Sequence, residues 1–145
     1  MESAECKFCD LVRGKLRASI VYEDEHSLAF LDHRPLFPGH LLLIPRDHFE
    51  TLDDLLPERV GPYFQTVQLL ARAVQTAMEA HGNFIAINNR ISQSVPHLHV
   101  HVVPRRKGDG LRGFFWPRSK YLNLAMEQKV AEVIREALRQ TQAGG

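Results

Sequence analysis

Apolar residues recur along this chain with two different periods, and the change from one to the other divides it into elements. Short apolar runs bounded by turn residues predict five strands: Ile20–Glu23, Ser27–Asp32, His40–Pro45, Phe84–Asn88 and Leu98–Val103. Asp24-Glu25-His26 reads as a hairpin turn, Pro38-Gly39 punctuates the chain, and Pro45 and Pro104 each close a strand. From Pro57 to His81 the spacing becomes three and four, through Val60, Phe64, Val67, Leu70, Ala71, Val74 and Met78. That is one face of an amphipathic helix, with Pro57 suited to its first turn and Gly82 placed to stop it. A second helix is predicted over Leu122–Gln140, with Val130, Val133, Ile134, Ala137 and Leu138 on one stripe. The sum is an α+β domain: a mostly antiparallel five-stranded sheet with two main helices.

Composition narrows the setting. The 145 residues fit one domain spanning the whole chain, with 44% apolar and 24% charged residues and a formal charge of +1. So even a balance argues against nucleic acid or a membrane surface as partner. The opening MESAECKFCD is polar where a signal peptide needs an apolar core, and no apolar run approaches the ~20 residues that span a bilayer. A cytoplasmic location is expected.

The chemistry concentrates in one stretch. From His97 to Val102, histidines at 97, 99 and 101 alternate with Leu98, Val100 and Val102. Side chains of a strand alternate faces, so the three imidazoles share one side while the aliphatics enter the core. Two readings are open at this point. Three imidazoles can hold a catalytic metal; alternatively one is a nucleophile or base and its neighbours bind an anion. The outer two positions lie about 13 Å apart at ~3.3 Å per residue, awkward for chelating one ion.

With this stretch in hand, the chain resembles the histidine-triad (HIT) superfamily, whose signature His-x-His-x-His plus two apolar residues stands here as His97 to Val103. Further matches are Cys6-Lys7-Phe8-Cys9 with Asp10-Leu11-Val12, Leu28 to Asp32, Pro38-Gly39-His40, Ile44 to His48, and Gln93-Ser94-Val95. The resemblance implies that His99 attacks the α-phosphate of a nucleotide and forms a nucleotidyl-histidine intermediate. It implies phosphate contacts from His101 and His40, and polar contacts from Asn88, Gln93 and Ser94, with Ser94 helping to protonate the leaving group. Asp32 matches the acid that binds the ribose hydroxyls, and Phe8, Leu11, Phe30 and Leu31 the pocket for the base. The loop between Asn88 and Gln93 is about two residues shorter than is usual in the family, which leaves Asn89 as the alternative to Asn88.

Cys6 and Cys9 form a C-x-x-C pair, which by itself points to metal or redox chemistry. A thioredoxin-like role lacks its βαβ context. The resemblance to bacterial HIT proteins implies a structural zinc held by Cys6, Cys9, His48 and His97, with no cofactor required for chemistry. It also implies a homodimer, through the long helix and the Phe84–Asn88 strand, with Trp116 of the aromatic run Phe114 to Pro117 reaching the partner. The function implied is a hydrolase or transferase acting on nucleoside phosphoramidates or dinucleoside polyphosphates; the alternative is a nucleotide-binding regulatory module with slow turnover.

Overall fold

The computed structural model describes residues 5–112 and 118–144, and the aromatic run with Trp116 lies outside them. The chain divides into two compact units, Met1–Asp109 and Gly110–Gly145. In the first, elements follow in the order α1 (Lys7–Val12), β1 (Ile20–Glu23), β2 (Ser27–Leu31), β3 (Leu41–Pro45), a 3-10 turn (Leu52–Asp54), α2 (Pro57–Ala77), β4 (Gly82–Ala86) and β5 (Val100–Arg105). The second unit holds α3 (Leu124–Gly144). The strands form one antiparallel sheet in the order β1-β2-β3-β5-β4.

β3 is central and buried along its whole length, which is why Leu41-Leu42-Leu43-Ile44 reads as an unbroken apolar run. Its residues divide between two cores. On one side Leu41 and Leu43 join Leu98, Val100, Val102 and the inner face of α2, with Tyr63, Val67, Leu70 and Val74. On the other, Leu42 and Ile44 join Leu28, Phe30 and the α1 residues Cys6, Phe8, Cys9 and Leu11. Leu43 and Ile44 are fully buried, each worth about 1.5–3 kcal/mol of transfer free energy. The histidines of the alternating stretch lie on the second side.

Several boundaries differ from expectation. α2 ends at Ala77, not His81, and Gly82 opens β4 instead of stopping the helix. The stop is a Schellman turn: Glu79, at φ 50°, donates to the Thr76 carbonyl, and Ala80 donates to the Gln75 carbonyl. β4 consequently starts two residues early, with Gly82 paired to Arg105, and leaves Asn88 outside the strand. β5 begins at Val100, but the chain is already tied to its neighbour at Leu98, whose N–H donates to the Phe49 carbonyl. The six-residue α1 is an addition that the apolar spacing does not announce. It forms because the Cys6 Sγ caps it, accepting from the Cys9 N–H at 3.4 Å.

Gly39, just before His40, has φ +95°, and a Cβ there would lie 2.6 Å from Cγ of Met78. The left-handed backbone angle favours glycine, and the Met78 side chain just past α2 would have to move for any larger residue. No helix among the described residues is long and apolar enough to cross a membrane.

Candidate active site and metal centre

The imidazoles form a row whose neighbours are about one ring apart. His48 and His97 have ring centroids 5.0 Å apart, His99 and His101 5.1 Å, and His101 and His40 5.2 Å. Between His97 and His99 sits Phe8 of α1, edge-on to both at 5.9 and 5.2 Å. Backbone groups orient the rings. His99 Nδ1–H donates to the His97 carbonyl at 2.8 Å, so its Nε2 carries the free lone pair. Burial holds the His99 pKa below the usual histidine range, and the ring is neutral near pH 7. A neutral, buried imidazole with one nitrogen occupied and the other free is the form a nucleophile needs.

Beside Phe8, whose ring packs edge-on against His99, lies a groove of about 650 Å³ whose lining does not include His40, His99 or His101. It is lined by the predicted Phe8, Leu11, Phe30, Leu31 and Asp32, and also by Lys7, Leu16, Arg17, Ala18, Ser19 and His33. These last carry no periodic signal, because they lie on α1's outer face and in irregular loops. The Asp32 carboxylate accepts from the Arg34 N–H at 2.9 Å and stands 3.7 Å from His40 Nε2. The loop after β4 is less converged. Asn88 and Ser94 are exposed. Asn89 accepts from the Leu52 N–H at 2.9 Å, and the Gln93 amide spans two loops, donating to the Glu50 carbonyl at 2.6 Å and accepting from Arg90 N–H at 2.8 Å. In this arrangement Asn89 and Gln93 brace loops.

Among the described residues two clusters have the donor types of a metal site, and the tautomers separate them. The Cys6, Cys9, His48 and His97 donors approach at 3.4 Å (Cys6 Sγ to His97 Nδ1), 3.2 Å (Cys9 Sγ to His48 Nδ1), 3.6 Å (Cys9 Sγ to His97 Nδ1) and 3.2 Å (His48 to His97). A tetrahedron of nitrogen and sulfur at zinc bond lengths has such edges of about 3.3–3.6 Å. His97 Nε2–H donates to the Pro45 carbonyl at 2.8 Å, which leaves the Nδ1 lone pair facing the cluster. The residues therefore fit zinc.

Asp32, His40 and His101 also lie within reach of one another. There, however, His40 Nδ1 accepts the Leu36 N–H at 3.0 Å. The neutral ring must then carry its proton on Nε2, the atom a metal would require, so this set is not prepared for an ion.

Burial is also the main cause that pushes His101 from the ordinary 6.5 down to about 4, helped by the neighbouring His99 and His40 and opposed by Asp32. His40 is lowered by burial, against Asp32. Unfolded histidines take up protons near 6.5 and these folded ones do not, so the stability they contribute is complete above that pH. It is lost as the pH falls towards 4, by up to about 3 kcal/mol for His101. Melting temperature should drop across this window, and His101→Asn should flatten the drop; equal slopes in both proteins would refute the assignment.

A family model described as the HIT domain matches residues 13–108. The protein called Protein hit of Bacillus subtilis is 42% identical over 120 residues, covering 80% of this chain and 82% of that protein. An adenylylsulfatase of Arabidopsis thaliana is 34% identical over 109 residues, which is 74% of this chain and 55% of that protein. The crystal structure of a zinc-bound histidine triad family protein from Mycobacterium smegmatis is 38% identical with a TM-score of 0.72, covering 99% of this chain and all of that one, 100%.

Proposed function

Because the chain belongs to the HIT family, we propose that it is a nucleotide hydrolase or transferase working through a covalent adduct on His99. The observation that carries this reading is the tautomer of His99, buried, neutral and tied at Nδ1 to the His97 carbonyl, with Nε2 free. The base of the nucleotide lies among Phe8, Leu11, Phe30 and Leu31, and Asp32 takes the ribose hydroxyls. His99 Nε2 attacks the α-phosphorus in line and forms a P–N bond as the bond to the leaving group breaks. Ser94 gives the leaving group its proton. The imidazole becomes positive, and the His97 carbonyl at Nδ1–H stabilises it. His101 contacts the phosphate oxygens, with Asn88 and Gln93 beside it, while His40, its two nitrogens engaged by Leu36 N–H and His101 Nδ1, stands behind His101 and orients it. Water then attacks phosphorus and gives a proton back to Ser94 as the P–N bond breaks, and neutral His99 is restored. Nucleoside phosphoramidates, sulfate–phosphate anhydrides and dinucleoside polyphosphates are the substrate classes to assay.

Two in-line displacements retain configuration at phosphorus, whereas one direct attack by water inverts it. A chiral α-phosphorothioate substrate should therefore give retention, and rapid quench should trap a nucleotidyl-enzyme. Inversion would end the covalent mechanism. A nucleotide-binding module with slow turnover would bind AMP and leave every member of the substrate panel intact.

The zinc reading belongs to the same proposal. Zinc held by Cys6, Cys9, His48 and His97 would cross-link α1, the segment after β3 and the approach to β5, positions up to 91 residues apart. It supplies folding energy and no step of the reaction. A homodimer completes the picture, supported by the apolar face of α3, where Leu124, Val133, Ile134 and Leu138 are 65%, 55%, 55% and 54% exposed. Leu69 of α2 and Ile85 of β4 are exposed as well, on the elements expected at the interface. Light scattering at micromolar concentration should give twice the chain mass; a clean 16.6 kDa species would overturn it.

A further inference from the structure

We propose that the backbone N–H of Leu36, acting through His40, sets which nitrogen of His101 carries the hydrogen that reaches the phosphate. Leu36 lies in the loop between β2 and β3, its side chain 53% exposed and its N–H turned onto His40 Nδ1 at 3.0 Å. A backbone N–H can only donate, so His40 Nδ1 can only accept. The neutral ring then carries hydrogen on Nε2. That atom lies 2.9 Å from His101 Nδ1, which must accept in turn. His101 is left with its hydrogen on Nε2, as a neutral donor on the ring 5.1 Å from that of His99.

The chain of donors runs one way: Leu36 to His40, His40 to His101, His101 to a phosphate oxygen. Neither ring has a second arrangement that keeps both contacts. A proton on His40 Nδ1 would face the Leu36 N–H, so the same contact opposes the imidazolium form of His40. The row thus holds opposite tautomers side by side. His99 has its hydrogen on Nδ1 and a free Nε2 to attack, while His101 has its hydrogen on Nε2 to donate. One backbone carbonyl, of His97, and one backbone N–H, of Leu36, establish the difference. Leu36 is a positioning residue through its main chain, and its side chain is incidental.

The role given to the His101 donor rests on the phosphate chemistry proposed above, but the tautomers do not, and the test separates them. Two-bond proton–nitrogen spectra of histidine-labelled protein at neutral pH distinguish the two tautomers of each ring. The wild type should show His40 and His101 as the Nε2–H form and His99 as the Nδ1–H form. Leu36→Pro removes the N–H at an exposed side chain; His40 and His101 should become tautomer mixtures, while Leu36→Ala keeps the wild-type pattern. In the proline variant kcat should fall about tenfold, with KM changed less than about threefold, because a donor to the reacting phosphate is present only part of the time. Should the proline variant fail to fold, His40→Gln and His40→Ala decide. Glutamine keeps a donor towards His101 and should hold its Nε2–H form; alanine should release it. His101 in the Nδ1–H form in the wild type, or unchanged in both Leu36→Pro and His40→Ala, overturns the inference. The stated tautomers in a protein that turns over no nucleotide would sustain it and refute the proposed function instead.

Discussion

Replacing His99 by alanine should abolish turnover and leave the fold in place. The side chain removed is the only imidazole of the row whose Nδ1 is tied to a backbone carbonyl within the stretch and whose Nε2 is free among the described residues. Neither neighbour can substitute. His97 Nδ1 faces the thiols and His101 is held as a donor. Loss of a covalent nucleophile lowers kcat by several orders of magnitude, more than about 10⁴-fold, because the remaining phosphate contacts have no group to assist. The fold is less exposed to the change. His99 packs against Phe8 and His101, and the core beneath it is made by Val100 and Val102 on the opposite side. Turnover of an adenosine phosphoramidate, measured beside a melting curve, decides it. A variant that keeps a tenth of wild-type activity at an unchanged melting temperature removes His99 from the chemistry.

The second large effect falls on stability. Cys6→Ser should remove a ligand of the proposed zinc and weaken the cap of α1 in one substitution, since the same sulfur accepts from the Cys9 N–H. Metal affinity in such a site appears as folding free energy, because the unfolded chain does not assemble four donors from positions 6, 9, 48 and 97. A loss of about 3–5 kcal/mol is expected, within the range of a broken metal site. Turnover per folded molecule should fall far less, to no lower than about a third of wild type, since the proposed displacement on His99 needs no metal. Elemental analysis should find about one zinc per wild-type chain purified without chelator, and much less in the variant. Absence of metal from the wild type, or an unchanged melting curve in the variant, would refute the site.

How far the primary structure reaches can be read residue by residue. The alternation of His97, His99 and His101 with Leu98, Val100 and Val102 is local information, and it correctly places rings and aliphatics on opposite sides of the sheet. The period of three and four places the buried face of α2 at Val67, Leu70 and Val74. The apolar run of β3 announces a strand buried on both faces. Boundaries are less legible. The end of α2 is set at Glu79, whose left-handed backbone no composition rule favours, and Gly82, the better stop signal, pairs with Arg105 instead. The Cys6–Cys9 pair is visible as a metal or redox motif, but its histidine partners came only from likeness to a family, because nothing between residues 9 and 48 records that they meet.

What tertiary structure alone decided is the use of each nitrogen. His97, His99 and His101 are the same side chain at three successive alternate positions. One has its Nδ1 facing the thiols, one has a free lone pair on Nε2 and one has its Nδ1 accepting from a neighbouring ring, through Pro45 O, His97 O, and Leu36 N by way of His40. Those partners are backbone groups, which every residue carries and which leave no mark in the order of side chains. Only the path of the chain brings them within 3 Å of a ring nitrogen, and that contact turns three chemically equal imidazoles into three different groups.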